Sequence, residues 1–153
     1  DVKKVYALLT EYLSNFDIAF QYSKEELTHF FLPRKNVIYS YVIVDNETKE
    51  ITDFISYYSL PSTIINGEKY KSLHAAFSYY MVPKKHSIEE IMKDALILAK
   101  NDKFDMFNAL NIMENKEVFD KLHFGMGSGH LYYYLYNWNL KNTEPEKIGV
   151  VLV

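Results

Sequence analysis

The sequence predicts an α/β fold: a single domain with a mixed β-sheet flanked by helices. Two observations predict it. Stretches with apolar residues at helical spacing alternate along the chain with runs of β-branched and aromatic residues. In the middle of the chain the order is strand, helix, strand, a βαβ unit whose two strands run parallel with a right-handed crossover. The 153 residues show no repeat, low-complexity segment or internal linker, and they suffice for one domain with a real core.

The elements follow in order. Residues 2–16 place Val5, Leu8, Leu9, Tyr12, Leu13 and Phe16 on one helical face. "SKEE", residues 23–26, is a capping-box pattern that opens a short helix carrying Leu27, Phe30 and Phe31 and ending before Pro33. "NVIYSYVIVD" and "ITDFISYYSL" flank the polar "DNETKE" and read as a β-hairpin, 37–44 with 51–60. Apolar residues on both faces predict strands covered on both sides. "PSTIINGEKY" reads as a loop, "SLHAAFSYYMV" as a third strand, and Ser87 to Glu90 as a second capping box opening a helix. "FDMFNAL" is a short strand and "NKEVFDKL" a short helix. Two last strands are predicted over 131–138 and 148–153.

Composition narrows the function. The chain is 48% hydrophobic and 24% charged, but it carries 14 Tyr, 10 Phe and one Trp, residues that suit both cores and ligand grooves. A net charge of -3 argues against a nucleic-acid binder. The absence of cysteine excludes disulfides, thiolate catalysis and cysteine metal sites, and fits a reducing, cytoplasmic compartment. No apolar run approaches the roughly 20 residues of a membrane span, and no signal-peptide pattern is visible. The chain opens on "DVKK" without an initiator methionine, so it is expected to be part of something longer.

The motifs that could carry chemistry are few. "FGMGSGHLYYYLYNW", residues 124–138, has glycines at 125, 127 and 129, but no Lys-Ser/Thr pair follows them and they precede a strand, so neither nucleotide fingerprint is met. Met126 spoils a nucleophile elbow around Ser128. The glycines read as a tight turn where another backbone approaches closely. None of the five histidines forms a metal-binding spacing, and no metal is expected; His130 stands at a turn-to-strand junction. Asn108, at the end of a parallel strand, either lines a groove or caps the next turn. Ser62 either orients a ligand or caps the loop after Pro61. The apolar ending "IGVVLV" predicts a docked terminus, whose carboxylate at Val153 is either fixed in a pocket or idle.

"TDFISYYSLPSTI", "AAFSYY", "DALILAK", "FDMFNAL", "MENKEVFDKLHFGMGSGHLYYYLYNW" and "IGVVLV" together resemble the carboxyl-terminal half of glycylpeptide N-myristoyltransferases. The similarity covers nearly the whole chain and is weakest in its first 30 residues. It implies a fold related to the acyl-CoA N-acyltransferases of the GNAT class, and a domain, 1–153, whose amino-terminal acyl-CoA half lies outside this chain. It implies transfer of myristate from myristoyl-CoA to the N-terminal glycine of a peptide or protein. Myristoyl-CoA is then a co-substrate held mainly by the missing half, with no permanent cofactor, and this piece alone is expected to be inactive.

Within that resemblance the base is the terminal carboxylate, which maps onto Val153. Ser62 bonds the peptide, Leu73 and Leu110 wall the groove, and Asn108 meets the peptide backbone. Gly129 and Leu131 line the far side, and Leu152 sits beside the terminus. Three positions depart from the family pattern. Ser128 stands for the usual acid of "GDG", Phe77 for the tyrosine of "AAYS", and Asn111 for the acid of "NALDLM". Losing the acid at Ser128 removes a charge-assisted contact of roughly 1.5–3 kcal/mol to a basic peptide side chain, so altered peptide selectivity is expected. The alternatives are a related N-acyltransferase with another acyl donor, or a non-catalytic peptide-binding module.

Overall fold

A computed structural model describes residues 1–152. Helix α1 (Val2–Leu13) buries Val5, Leu8, Leu9, Tyr12 and Leu13, the predicted stripe. It stops three residues early because the Ser14 hydroxyl and the Asn15 amide donate back to the Glu11 and Tyr12 carbonyls, competing with further helical turns. Phe16 instead sets its ring edge-on to Tyr12, centroids 5.1 Å apart. Helices α2 (Lys24–Phe31) and α3 (Ile88–Asn101) both open with the predicted capping boxes, Ser23 with Glu26 and Ser87 with Glu90.

The main sheet has the order β2 (Ile38–Val44), β3 (Ile51–Thr63), β4 (Ser72–Val82) and β5 (Met106–Asn108). The hairpins β2–β3 and β3–β4 are antiparallel, while β4 and β5, joined through α3, are parallel as predicted. One face packs on α1 and α2 around Phe31, Phe54, Tyr79 and Tyr80; the other packs on α3 around Tyr57, Met81, Ile91 and Met92. The first three residues of the predicted loop belong to β3. Ser59 donates its N–H sideways to Val37, and two residues on Pro61 faces the same way, past the end of β2, where no strand asks for the N–H it lacks.

One irregularity organises this sheet. Between Ile55↔Met81 and Tyr57↔Ser78 the β4 strand holds one residue more than β3. Opposite that bulge the buried Ser56 hydroxyl accepts from the Tyr80 N–H at 3.0 Å and donates to the Tyr80 carbonyl at 3.1 Å. The extra residue breaks the two-residue alternation, so the adjacent Tyr79 and Tyr80 both enter the core shared with α1 and α2.

The last third of the chain departs from expectation. Residues 131–138 form no strand, and Tyr132, Tyr134 and Tyr136 are exposed. Strand propensity alone cannot hold an extended segment without a ladder partner, and β5 offers only three residues, paired to β4. At the predicted glycine turn, a Cβ added at 125, 127 or 129 meets no atom within 4 Å, so no other backbone approaches there among the described residues. The short helix is a single turn, α4 (Lys116–Phe119). After a 3-10 turn (Pro145–Lys147) the last strand is only β6 (Ile148–Gly149), and it pairs in parallel with β1 (Ile18–Ala19), outside the main sheet.

Replacing Ser56 with Ala strands the buried N–H and carbonyl of Tyr80 at the bulge. The expected loss is about 2–3 kcal/mol of unfolding free energy, read by urea denaturation. An unchanged midpoint would show that the bulge holds without the hydroxyl.

Candidate functional site

The candidate residues on the sheet share one face. Tyr58, Phe77 and Asn108 are register partners in a row across β3, β4 and β5. Two residues further along β3 come Leu60 opposite Ala75, and then Ser62 opposite Leu73, with the side chains alternating regularly from Tyr58 onward. Ser62, Leu73, Phe77 and Asn108 therefore stand on the same face. Tyr58 stacks on Phe77 with ring centroids 5.4 Å apart. Asn108 is half-buried, and its side chain makes no hydrogen bond among the described residues, so it is not the turn cap that one reading offered. Ser62 is exposed, its hydroxyl reaching only the Leu60 carbonyl at 3.5 Å. Leu110 packs at the margin of the core, and its carbonyl is held by the Asn115 amide at 2.9 Å.

The C-terminal segment arrives at this face by a defined route. Ile148 and Gly149 pair with β1, and Ile148 and Val151 are buried. Gly149 lies against the Phe16 ring so tightly that an added Cβ would stand 2.9 Å from it. Three tyrosine hydroxyls then donate to main-chain carbonyls of the segment. Tyr80 donates to Gly149 at 3.0 Å, Tyr133 to Val150 at 2.7 Å and Tyr58 to Leu152 at 3.4 Å. Burial pushes the Tyr80 hydroxyl up to about 12 and also raises Tyr58 and Tyr133. All three thus stay protonated donors over the range in which proteins work. The side chain of Leu152 is exposed, and Val153 lies outside the described residues.

The remaining predicted residues are not drawn in. Ser128, Gly129 and Leu131 sit in the exposed stretch after α4 and, among the described residues, make no hydrogen bond or ring contact with the sheet. His130 is exposed and only stacks near Tyr132. Sequence reasoning missed Tyr58, Tyr80 and Tyr133 as individuals. The available signal was chemical: a tyrosine inside an apolar strand run must find a partner for its hydroxyl once buried. A cleft of about 680 Å³ between α1 and the segment leading into α2, lined by Tyr6, Thr10, Phe16 and Tyr22, holds none of the predicted residues.

One histidine–carboxylate pair looks catalytic and is not. Asp53 is fully buried on β3, and one of its oxygens accepts the N–H groups of Lys84, Lys85 and His86 at 2.9–3.0 Å. The other oxygen meets His86 Nδ1 at 2.7 Å. Burial pushes the carboxyl up, but the hydrogen bonds from His86, Thr52 and Lys85 outweigh it and hold the group at about 2. A fully buried carboxylate that accepts four hydrogen bonds from residues 84–86 pins the turn that opens α3 and is a poor proton acceptor for a substrate.

Residues 1–151 match the family described as "Myristoyl-CoA:protein N-myristoyltransferase, C-terminal domain". The chain belongs to this family. It is 46% identical over 153 residues to a probable glycylpeptide N-tetradecanoyltransferase of Caenorhabditis elegans, covering 99% of this chain and 34% of that protein. It superposes on a crystal structure of Saccharomyces cerevisiae N-myristoyltransferase with bound myristoyl-CoA at a TM-score of 0.85 and 34% identity, covering 100% of this chain and 44% of that one. Glucosamine-6-phosphate N-acetyltransferase of Arabidopsis thaliana shares the fold alone, with a TM-score of 0.64 at 12% identity, over 89% of this chain and 95% of that one. This C-terminal domain thus has the acetyltransferase-type fold that the sequence resemblance implied. It spans about a third of the length of the curated relatives it matches.

The Asp53 clamp predicts how the domain's stability varies with pH. Its hydrogen bond to Asp53 raises the His86 pKa above the ordinary value. The stabilisation is therefore complete below about pH 6.5, the unfolded value, and is lost as pH rises through the folded one. The urea midpoint is expected to fall between about pH 6 and pH 9, and His86→Gln is expected to flatten that slope. Equal slopes in the two proteins would remove the pair from the account. The Asp53 contribution has the opposite sign: it is present above about pH 3.9 and lost as pH falls through about 2.

Proposed function

We propose that this chain is the peptide-binding, C-terminal domain of a cytoplasmic enzyme that transfers myristate from myristoyl-CoA to the N-terminal glycine of proteins. In this reading the acyl-CoA site belongs mainly to the part of the protein that precedes this domain, so the domain alone is inactive. The observation that carries the reading is where the C-terminal segment goes. Its last described residue, Leu152, is hydrogen-bonded by Tyr58, which stacks on Phe77 in the row that ends at Asn108. The next residue, Val153, supplies the α-carboxylate that the resemblance makes the base.

The chemistry fits that arrangement. The nucleophile is a glycine amine with a reference pKa near 8, so it must lose a proton before attacking the thioester. A free α-carboxylate, near 3.5, is a weak base for the task. Placement beside the ammonium makes up the difference through effective molarity, and desolvation moves the carboxylate upward. Asn108, whose amide makes no hydrogen bond among the described residues, orients the peptide backbone, Ser62 adds a hydroxyl contact, and Leu73, Phe77 and Leu110 give apolar walls. Ser128, Gly129 and Leu131 form the far side once the exposed stretch is packed in the whole enzyme.

The test uses the complete enzyme with labelled myristoyl-CoA and a glycine-leading peptide. Removing Val153, or adding residues after it, is expected to lower kcat at least a hundredfold. Transfer that survives unchanged, or a natural chain that continues past Val153, overturns the assignment of the base.

Peptide selectivity gives a second check. With Ser128 where relatives of this pattern carry an acid, a basic side chain further along the peptide is expected to improve kcat/KM less than tenfold, against tenfold or more for Ser128→Asp. An equal preference in both forms would show that Ser128 does not set it.

A further inference from the structure

We propose that Tyr58, Tyr80 and Tyr133 are positioning residues that clasp the C-terminal segment and aim its terminal carboxylate. The proposal rests on the reading of Val153 as the base, and it adds the device that holds that base in place. Three hydroxyls from three parts of the chain converge on four consecutive residues. Tyr80 comes from β4, Tyr58 from β3, and Tyr133 from the stretch after α4; their acceptors are the carbonyls of Gly149, Leu152 and Val150. The segment needs such partners, because its ladder with β1 ends at Gly149 and no strand receives the carbonyls beyond it.

The spacing of the contacts matters. Gly149 is held from one side by Tyr80 and from another by the Phe16 ring, so the segment is located at its base. Val150 and Leu152 are then held by hydroxyls on different elements, with the buried Val151 side chain between them as a peg. The Leu152 carbonyl belongs to the peptide unit that joins Val153, so Tyr58 acts one bond away from the residue that carries the base. Tyr58 also stacks on Phe77, which ties the aim of the tail to the floor of the peptide face. A carboxylate this weak works only by placement, and a displacement of about 1 Å is enough to cost on the order of a hundredfold in rate. The tyrosines are aromatic and rotamer-limited, and a buried ring loses little freedom when its hydroxyl makes one more bond.

Tyr80→Phe and Tyr133→Phe, alone and together, remove hydroxyls while keeping ring volume. In the complete enzyme, kcat is expected to fall about tenfold for each single variant and about a hundredfold for the pair, with KM for peptide and for myristoyl-CoA within about twofold. Hydrogen exchange is expected to speed up at the amides of Val151 and Leu152 and to stay unchanged in β3. Tyr41→Phe, which removes a hydroxyl bonded to Asp102 on the α3 face of the sheet, serves as the control and should keep the parent's kcat and tail exchange. Loss of activity that tracks KM or a lower melting temperature, with tail exchange unchanged, assigns these tyrosines to general stability and overturns the clasp. Wild-type kcat in the double variant also overturns it, provided that removing Val153 abolishes transfer. If removing Val153 leaves transfer intact, the base assignment fails first and the clasp loses its catalytic purpose, whatever the exchange data show. Tyr133 lies outside the core strands, so its variant remains informative even if Tyr80→Phe folds poorly.

Discussion

The pair of hydrogen bonds between the Ser56 hydroxyl and the Tyr80 main chain is the constraint on which the rest depends. An antiparallel ladder sends neighbouring side chains to opposite faces. Here β4 carries one extra residue, and the ladder would leave the Tyr80 N–H and carbonyl without partners in the core. Ser56 supplies both. Once the bulge is held, Tyr79 stacks on Phe31 at 4.7 Å, and Tyr80 is free to send its hydroxyl through the same core to Gly149. A local irregularity in the sheet is thereby converted into a fixed position for a segment 69 residues away.

That conversion explains how residues 148–152 are held against the sheet. A segment with so short a ladder frays unless it is tied down. This one is tied by different kinds of force in sequence: strand pairing with β1, contact of Gly149 with Phe16, burial of Ile148 and Val151, and three hydroxyl contacts. By contrast, Asp53, a buried carboxylate that accepts four hydrogen bonds, is spent on the turn before α3. A group held at about 2 by its neighbours is a good anchor and a poor proton acceptor. Asp53 therefore serves the fold as an anchor, whatever group takes up protons at the site.

Much of this was legible in the sequence where the information is local. Both capping boxes, the βαβ unit and the covered hairpin followed from residue type and spacing, because each is set by neighbours a few positions apart. The docked ending "IGVVLV" was legible from its apolar run, although what Gly149 packs against, Phe16, sits at the other end of the chain. The β4 bulge was not legible. "AAFSYYMV" reads as an unbroken strand, and only the opposing Ser56 shows which residue is in excess. The site was legible in part: Ser62, Leu73, Phe77 and Asn108 fall on one face because strand alternation places them there. The three tail-holding tyrosines were hidden among 14 of their kind, since no local pattern tells which hydroxyl finds a carbonyl across the fold.

The stretch 131–138 failed as a strand for a reason that bears on the whole protein. Its residues have the composition of a strand, yet Tyr132, Tyr134 and Tyr136 face outward, and no ladder forms on either side. Only Tyr133 turns inward, and its hydroxyl is the one that reaches Val150. Tyr133 also packs on the core, and its bond to Val150 is the segment's one hydrogen bond to the rest of the fold among the described residues. An apolar surface of this extent usually packs against more polypeptide, and the domain accounts for only about a third of the length of its relatives. Whatever settles on Tyr132, Tyr134 and Tyr136 would therefore also steady Tyr133, and through it the carbonyl it holds two residues from the end of the described chain.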